Sequence, residues 1–446
     1  MSPKTEPMAL TDAIITAQVH KKRDVFIASI SEQRICKLAS SYKNGEHCYF
    51  FQPCVRGSFN MCYFVEFDDG VKWVVRVPLE PCLAFGGKSK LETEIATMNF
   101  VAERTSIPIP AIVTYRLGEG PEPLSSFLIL HYVEGRTLSY EELTSLSDKQ
   151  RDCLYRSMAD VFLQLRRLEF SGAGCLNVDV DGVASVSKMN MSIDINMQEL
   201  EGLQPSTIQS RFYGQHGSLS SAKEYTAMLL DLADHAFAKG RSSVILNEEH
   251  GADALYQLHV FREHAKKWVD PRFEKGPFVL SHGDFELFNL LLNDDMQVVC
   301  VLDWEWSRVV PLQFFKPPLW LSVKETVRLA FDVHYLDYLG YFNKFLAILE
   351  SLEVKKYGNP LLSIEWEKAK RNSGFLVANA LESWTDIDWF GFRYLNKQYH
   401  GDASGLKERV KAFIEEVPSR KDFIASKYRE GLAYTAEKEA LKGHED

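Results

Sequence analysis

Residues 281–308 read SHGDFELFNLLLNDDMQVVCVLDWEWSR, and this stretch decides the fold. Three short apolar runs lie in it or beside it: Phe278 to Leu280, Leu290 to Leu292 and Val298 to Leu302. Runs that short, rich in Val and Leu and split by polar turns, predict strands. Asn293-Asp294-Asp295 separates the last two and predicts a hairpin turn. Asp284, Asn289 and Asp303 therefore fall at strand ends and in a loop, where chemistry usually resides. An acid, an amide and a second acid suit phosphoryl transfer. One carboxylate orients a hydroxyl, while the other two oxygen donors hold magnesium on a nucleotide's phosphates.

Upstream, Met61 to Phe67 and Val71 to Val77 flank Asp68-Asp69-Gly70, and a D-G step between apolar runs predicts a hairpin. Arg56-Gly57-Ser58-Phe59-Asn60 precedes it and reads as a turn. Lys88 to Arg104 has helical spacing, with Leu91, Ile95 and Met98 on one side, and Ile107-Pro108-Ile109-Pro110 ends it. Ala111 to Tyr115 and Phe127 to Tyr132 add two strands. A fifth strand ahead of Gly57 would complete a small mixed lobe.

From Ser147 the pattern turns helical. Ser147 and Gln150 form a capping-box signature. Leu154, Met158, Val161, Phe162, Leu165 and Leu168 make an apolar face. Residues 171–222, rich in Gly, Ser, Asn and Asp, predict a long irregular excursion. Helices are expected at 222–239, 252–268, 323–349 and 364–384, with a charged helical stretch over 407–443 as an outer helix or a loose tail. The chain divides into a helical extension (1–45), a sheet-bearing lobe (46–135), a helical lobe (136–400) and a helical tail (401–446).

The 446 residues carry a net charge of −10, which argues against a nucleic-acid partner. Hydrophobic content of 46% and charged content of 25% are ordinary for a globular chain. The eight cysteines show no C-x-x-C spacing, which predicts neither a zinc site nor a disulfide framework. No secretory leader and no apolar run of ~18 residues stands out, so a cytoplasmic protein with no membrane span is expected.

His282-Gly283-Asp284, Asn289 and Asp303 resemble the H-x-D-x-x-x-x-N segment and downstream Asp of the aminoglycoside phosphotransferase and choline kinase group. Asp303-Trp304-Glu305-Trp306 resembles the D-F-E-Y of choline kinases. Trp73 to Pro78 and Pro311 to Pro318 are similar to the fungal branch. The likeness spans about residues 50 to 395 and implies an α+β, protein-kinase-like bilobal fold. It implies Mg2+ and ATP or GTP, with a small-molecule hydroxyl as acceptor. By that resemblance Asp284 is the catalytic base and His282 anchors its loop. Asn289 and Asp303 are magnesium ligands, and Glu305 either joins them or points elsewhere on its strand. Gly57, Ser58 and Asn60 cover the phosphates. Arg76, where the wider family has Lys, binds them and pairs with Glu94. The backbone of His131 and Val133 meets the base.

Trp306, Trp384, Asp386, Asp388 and Trp389 are candidates for the acceptor pocket, with Phe315 and Trp320 nearby; each is equally explained as core or surface. Two other readings stay open at this point: a nucleotide-binding pseudokinase without turnover, and a kinase-like fold turned to non-phosphoryl chemistry.

Overall fold

Alternating burial from Met61 to Phe67 marks the first sheet, as a two-residue period requires. The computed structural model describes residues 12–442, except 121, 179–183, 190, 215–216, 324–325, 384–386 and 402–403. Helices α1 (Ala13–Ala28) and α2 (Glu32–Ser41) lead the chain. Strands β1 (Cys48–Arg56), β2 (Asn60–Phe67), β3 (Lys72–Pro78), β4 (Ile112–Leu117) and β5 (Ser126–His131) form one antiparallel sheet in the order β1-β2-β3-β5-β4. Gly70 closes the β2–β3 turn at φ +83°, a left-handed conformation that glycine adopts without steric cost. Helix α3 (Gly86–Arg104) buries Leu91, Ile95 and Met98. Strand β5 is buried on both faces. Phe127 and Ile129 join a core with Ile35 and Ala39 of α2, while Leu128 and Leu130 join the larger core that includes α3.

The second lobe is mostly helical. Helices α4 (Tyr140–Ser145) and α5 (Asp148–Arg166) both start on capping boxes, Ser139 with Glu142 and Ser147 with Gln150. Each box satisfies two otherwise orphaned N–H groups. Helices α6 (Ile193–Leu200), α7 (Pro205–Tyr213), α8 (Ala222–Lys239) and α9 (Glu248–Trp268) precede the loop-bearing strands. Helices α10 (Asp332–Tyr357), α11 (Leu362–Arg371), α12 (Gly374–Glu382), α13 (Ile387–Phe390), α14 (Asn396–His400), α15 (Leu406–Glu416) and α16 (Pro418–Lys442) follow them. The result is an α+β, protein-kinase-like bilobal architecture. Among the described residues no helix is long and apolar enough to cross a membrane.

Two expectations need correction. Residues 171–222 are not an irregular excursion. After β6 (Glu169–Phe170), strands β7 (Cys175–Val178) and β8 (Ala184–Lys188) pair antiparallel, and α6 and α7 follow. This segment is tied to the sheet-bearing lobe by side chains far away in sequence, which no local pattern reveals. Asn196 accepts from Ala84 N–H at 2.9 Å and donates to the Cys82 carbonyl at 3.0 Å. Lys188 pairs with Glu92 at 2.6 Å. The long helices expected at 364–384 and 407–443 are each split in two, the first at Ser373, where φ is +55°.

Candidate active site

Strand pairing brings the distant polar residues together. Strand β9 (Phe278–Ser281) pairs with β12 (Arg308–Pro311), and β10 (Leu290–Leu292) pairs with β11 (Val298–Val301). Leu290 faces Val301, and one step outward the Leu302 N–H donates to the Asn289 carbonyl at 2.8 Å. Asn289 and Asp303 therefore leave the open end of one hairpin side by side. His282 Nε2 donates to the Leu302 carbonyl at 2.8 Å, which draws the Asp284 loop onto the same end. The Asn289 amide nitrogen donates to the Asp284 carbonyl at 2.9 Å and to its Oδ2 at 3.0 Å.

Gly283 makes this turn possible. Its φ is +83°, and a Cβ there would lie 2.0 Å from the Trp306 carbonyl oxygen. His282 is buried, and that burial holds its pKa down to about 4. The ring is thus neutral at neutral pH and acts as a hydrogen-bonding anchor.

Across the cleft, β3 and α3 supply the cations. Arg76 Nη1 meets Glu94 Oε1 at 2.5 Å. Its Nη2 meets Asp303 Oδ1 at 2.6 Å and Glu305 Oε2 at 3.0 Å. Lys90 pairs with the same Glu305 oxygen and donates to Asn60 Oδ1 at 2.9 Å. Asn60 Nδ2 donates back to Glu305 Oε2 at 2.6 Å. The sheet lobe and the D-W-E-W loop are therefore joined by a network of charge that is buried except at Asp303, which lies at its half-buried edge. Burial raises Glu94 and Asp303, while Lys90 and Arg76 hold Glu305 below the ordinary carboxylate range despite its burial.

Asp284 lies at the edge of this network, tied to Asn289. Burial first, then the charges of Asp303 and Glu305, push it up to about 7. Burial and the Asp284 charge push Glu286 up to about 8, although Tyr140 donates to it at 2.9 Å. The folded state keeps a proton on Glu286 that the unfolded chain releases near 4.5. This group therefore costs stability increasingly as pH rises from 4.5 to about 8. Glu286→Gln should raise Tm by about 2–4 °C near pH 9 and leave it unchanged near pH 4, read by thermal melts across pH.

Magnesium prefers hard oxygen ligands and keeps several waters, so few side chains suffice. With its amide nitrogen turned to Asp284, Asn289 keeps its side-chain carbonyl oxygen as a donor, and it leaves the same hairpin end as Asp303, so the two residue types suit the ion. Glu305 does not fit as it stands, because three donors converge on one of its oxygens. Among the described residues no group of three or more His, Cys, Asp or Glu is placed to hold a metal.

Several other candidates take unexpected places. Trp306 is 2% exposed and packs edge to face on Phe59 at 4.8 Å, inside the core of the sheet lobe. That contact removes it from an acceptor pocket. Phe315 and Trp320 are also core, the Trp320 indole donating to the Phe285 carbonyl at 2.7 Å. Trp384 and Asp386 lie outside the described residues. Asp388 and Trp389 lie on α13, and their side chains are outside the description. Gly57 N–H bonds the Asn60 carbonyl at 2.8 Å, so Gly57 and Ser58 do form a tight turn between β1 and β2. The His131 N–H is spent on the Ala111 carbonyl at 2.9 Å, which leaves its carbonyl and the Val133 N–H as the groups to consider for a base.

Sequence reasoning did not select Lys90, Glu286, Tyr140 or Arg308. Arg308 is buried, pairs with Glu382 at 2.7 Å and reaches the Trp306 carbonyl at 3.3 Å, bracing the loop from behind. The signal for Lys90 was its place one helical turn before Glu94.

A family model described as the phosphotransferase enzyme family matches residues 52–314. A clavilactone A biosynthesis cluster protein Y of Ampulloclitocybe clavipes is 23% identical over 275 residues, 60% of this chain and 63% of that protein. A subtelomeric hrmA-associated cluster protein of Aspergillus fumigatus is 21% identical over 131 residues, 29% of this chain and 25% of that protein. The chain thus spans less than two thirds of the length of these relatives. Among solved structures, ADP-bound aminoglycoside phosphotransferase APH(2'')-Ib is 15% identical with a TM-score of 0.43, over 89% of this chain and 99% of that one.

Proposed function

This chain belongs to the phosphotransferase enzyme family, and on that premise we propose that it moves the γ-phosphoryl group of ATP or GTP to a hydroxyl of a small molecule. What supports the reading is convergence: Asp284, hydrogen-bonded to Asn289, feels the charge of Asp303, which in turn meets the Arg76–Glu94 pair. Asp284 accepts or orients the acceptor's hydroxyl proton. With a pKa pushed up to about 7, it is half charged near neutrality and well matched to a base's task. Arg76 presents a fixed guanidinium to phosphate oxygens. Asn289 and Asp303 would hold magnesium, which supplies further charge neutralisation on the phosphates. Catalysis of this kind is mostly positioning and electrostatics.

The two fungal relatives are named as members of clusters, one of them biosynthetic. Hydroxylated products of specialised metabolism are therefore the first acceptors to screen, followed by amino-alcohols and aminoglycosides. The readout is nucleotide consumption together with the mass gain of a phosphate. Nucleotide binding with no turnover on any acceptor would make the chain a nucleotide-binding pseudokinase. Conversion of a substrate without nucleotide would overturn the reading altogether.

A further inference from the structure

Lys90 and Glu94 stand one turn apart on α3 and project to the same side. The Lys90 side chain is only 3% exposed, and lysines are seldom so buried unless paired. Its partners belong to both lobes: Asn60 on β2, and Glu305 in the loop after Asp303. One oxygen of Glu305 accepts from Asn60, Arg76 and Lys90 together. The network holds two cations, Arg76 and Lys90, among three carboxylates, Glu94, Asp303 and Glu305. Without Lys90, a single guanidinium would face all three. Glu305, which already shares Nη2 with Asp303, would then have that guanidinium as its one cationic partner in the network, and the turn at 56–60 would keep only the Asn60 amide as its tie to the loop.

We infer that Lys90 is a positioning residue for nucleotide binding. By sharing the Glu305 charge with Arg76 it leaves more of the Arg76 fork to Glu94 and Asp303, and with Asn60 it fastens the 56–60 turn to the loop after Asp303. The role is exerted through Glu305, not by contact with phosphate. It rests on the nucleotide-binding part of the function proposed above.

The test is a double-mutant cycle on the full chain: wild type, Lys90→Met, Glu305→Gln and both together. Isothermal titration calorimetry with ADP, then GDP, each with magnesium chloride, reads affinity without turnover. Lys90→Met should weaken binding roughly tenfold in the wild-type background but less than about twofold when Glu305 is already Gln, because no charge is then left to neutralise. Equal losses in both backgrounds overturn the inference, as does no loss in the wild-type background. If Lys90→Met does not fold, Lys90→Arg answers instead. Affinity kept within about threefold supports the charge-neutralising role, and a loss of roughly tenfold overturns it. A wild-type chain that binds ADP or GDP while the cycle shows no coupling loses only the role of Lys90. A wild-type chain that binds neither loses the phosphotransferase reading as well.

Discussion

Asp284→Asn should lower turnover by ~10²–10⁴-fold while the protein becomes more resistant to heat above neutral pH. Both halves follow from one carboxylate. Asn is nearly the same shape and can still accept from the Asn289 amide through its own carbonyl oxygen, so the loop geometry survives. It cannot take a proton from a hydroxyl. Asp284 is pushed from 3.8 up to about 7 by burial and by the Asp303 and Glu305 charges. A carboxylate raised in this way destabilises the folded state progressively as pH climbs through that window, and the cost is full above it. Removing the charge removes the cost. Thermal melts across pH should show variant and wild type coinciding near pH 4 and the variant ahead near pH 8. Lost activity with gained stability cannot arise from unfolding. Near-normal turnover in a folded variant would take the base role away from Asp284. In the wild-type chain, kcat/KM should climb with pH up to about 7 as this proton leaves.

The strands around Asp284, Asn289 and Asp303 were legible because short Val- and Leu-rich runs between polar turns leave few alternatives. The Asp68-Asp69-Gly70 hairpin and the Ser147 capping box were legible for a similar reason: each device is written within four residues. The 175–213 segment was not. Asn196 there reaches Cys82 and Ala84, more than a hundred positions away, and composition records nothing of such a partner. Aromatic residues failed in a different way. Trp306 follows the acids closely in sequence, yet in a short 3-10 turn after a left-handed Asp303 it points back into the sheet lobe. Proximity along the chain gave its neighbourhood, and only the backbone turn gave its direction. Lys90 was legible as a helical neighbour of Glu94 but not as a buried one, because a lysine on an amphipathic helix ordinarily reaches solvent.

Arg76→Ala should destabilise the protein by ~3–5 kcal/mol near neutral pH and sharply weaken nucleotide affinity. The guanidinium is buried between Glu94, Asp303 and Glu305. Deleting it leaves three carboxylates with Lys90 as the one full positive charge among these partners, and an unpaired buried charge costs more than the lost attraction. The loss should shrink as pH falls, because Glu94 and Asp303, already raised by burial, can then take up protons and cease to need a partner. Arg76→Lys separates charge from geometry. An ammonium restores one positive point but cannot meet Glu94 and Asp303 with two fixed N–H vectors. Its stability should fall between the other two, while affinity for ADP recovers only in part. Chemical denaturation at several pH values measures the first effect and calorimetric titration the second. If Arg76→Ala left affinity unchanged in a folded chain, the guanidinium would be a strut between the lobes, and phosphate binding would have to be sought elsewhere in the cleft.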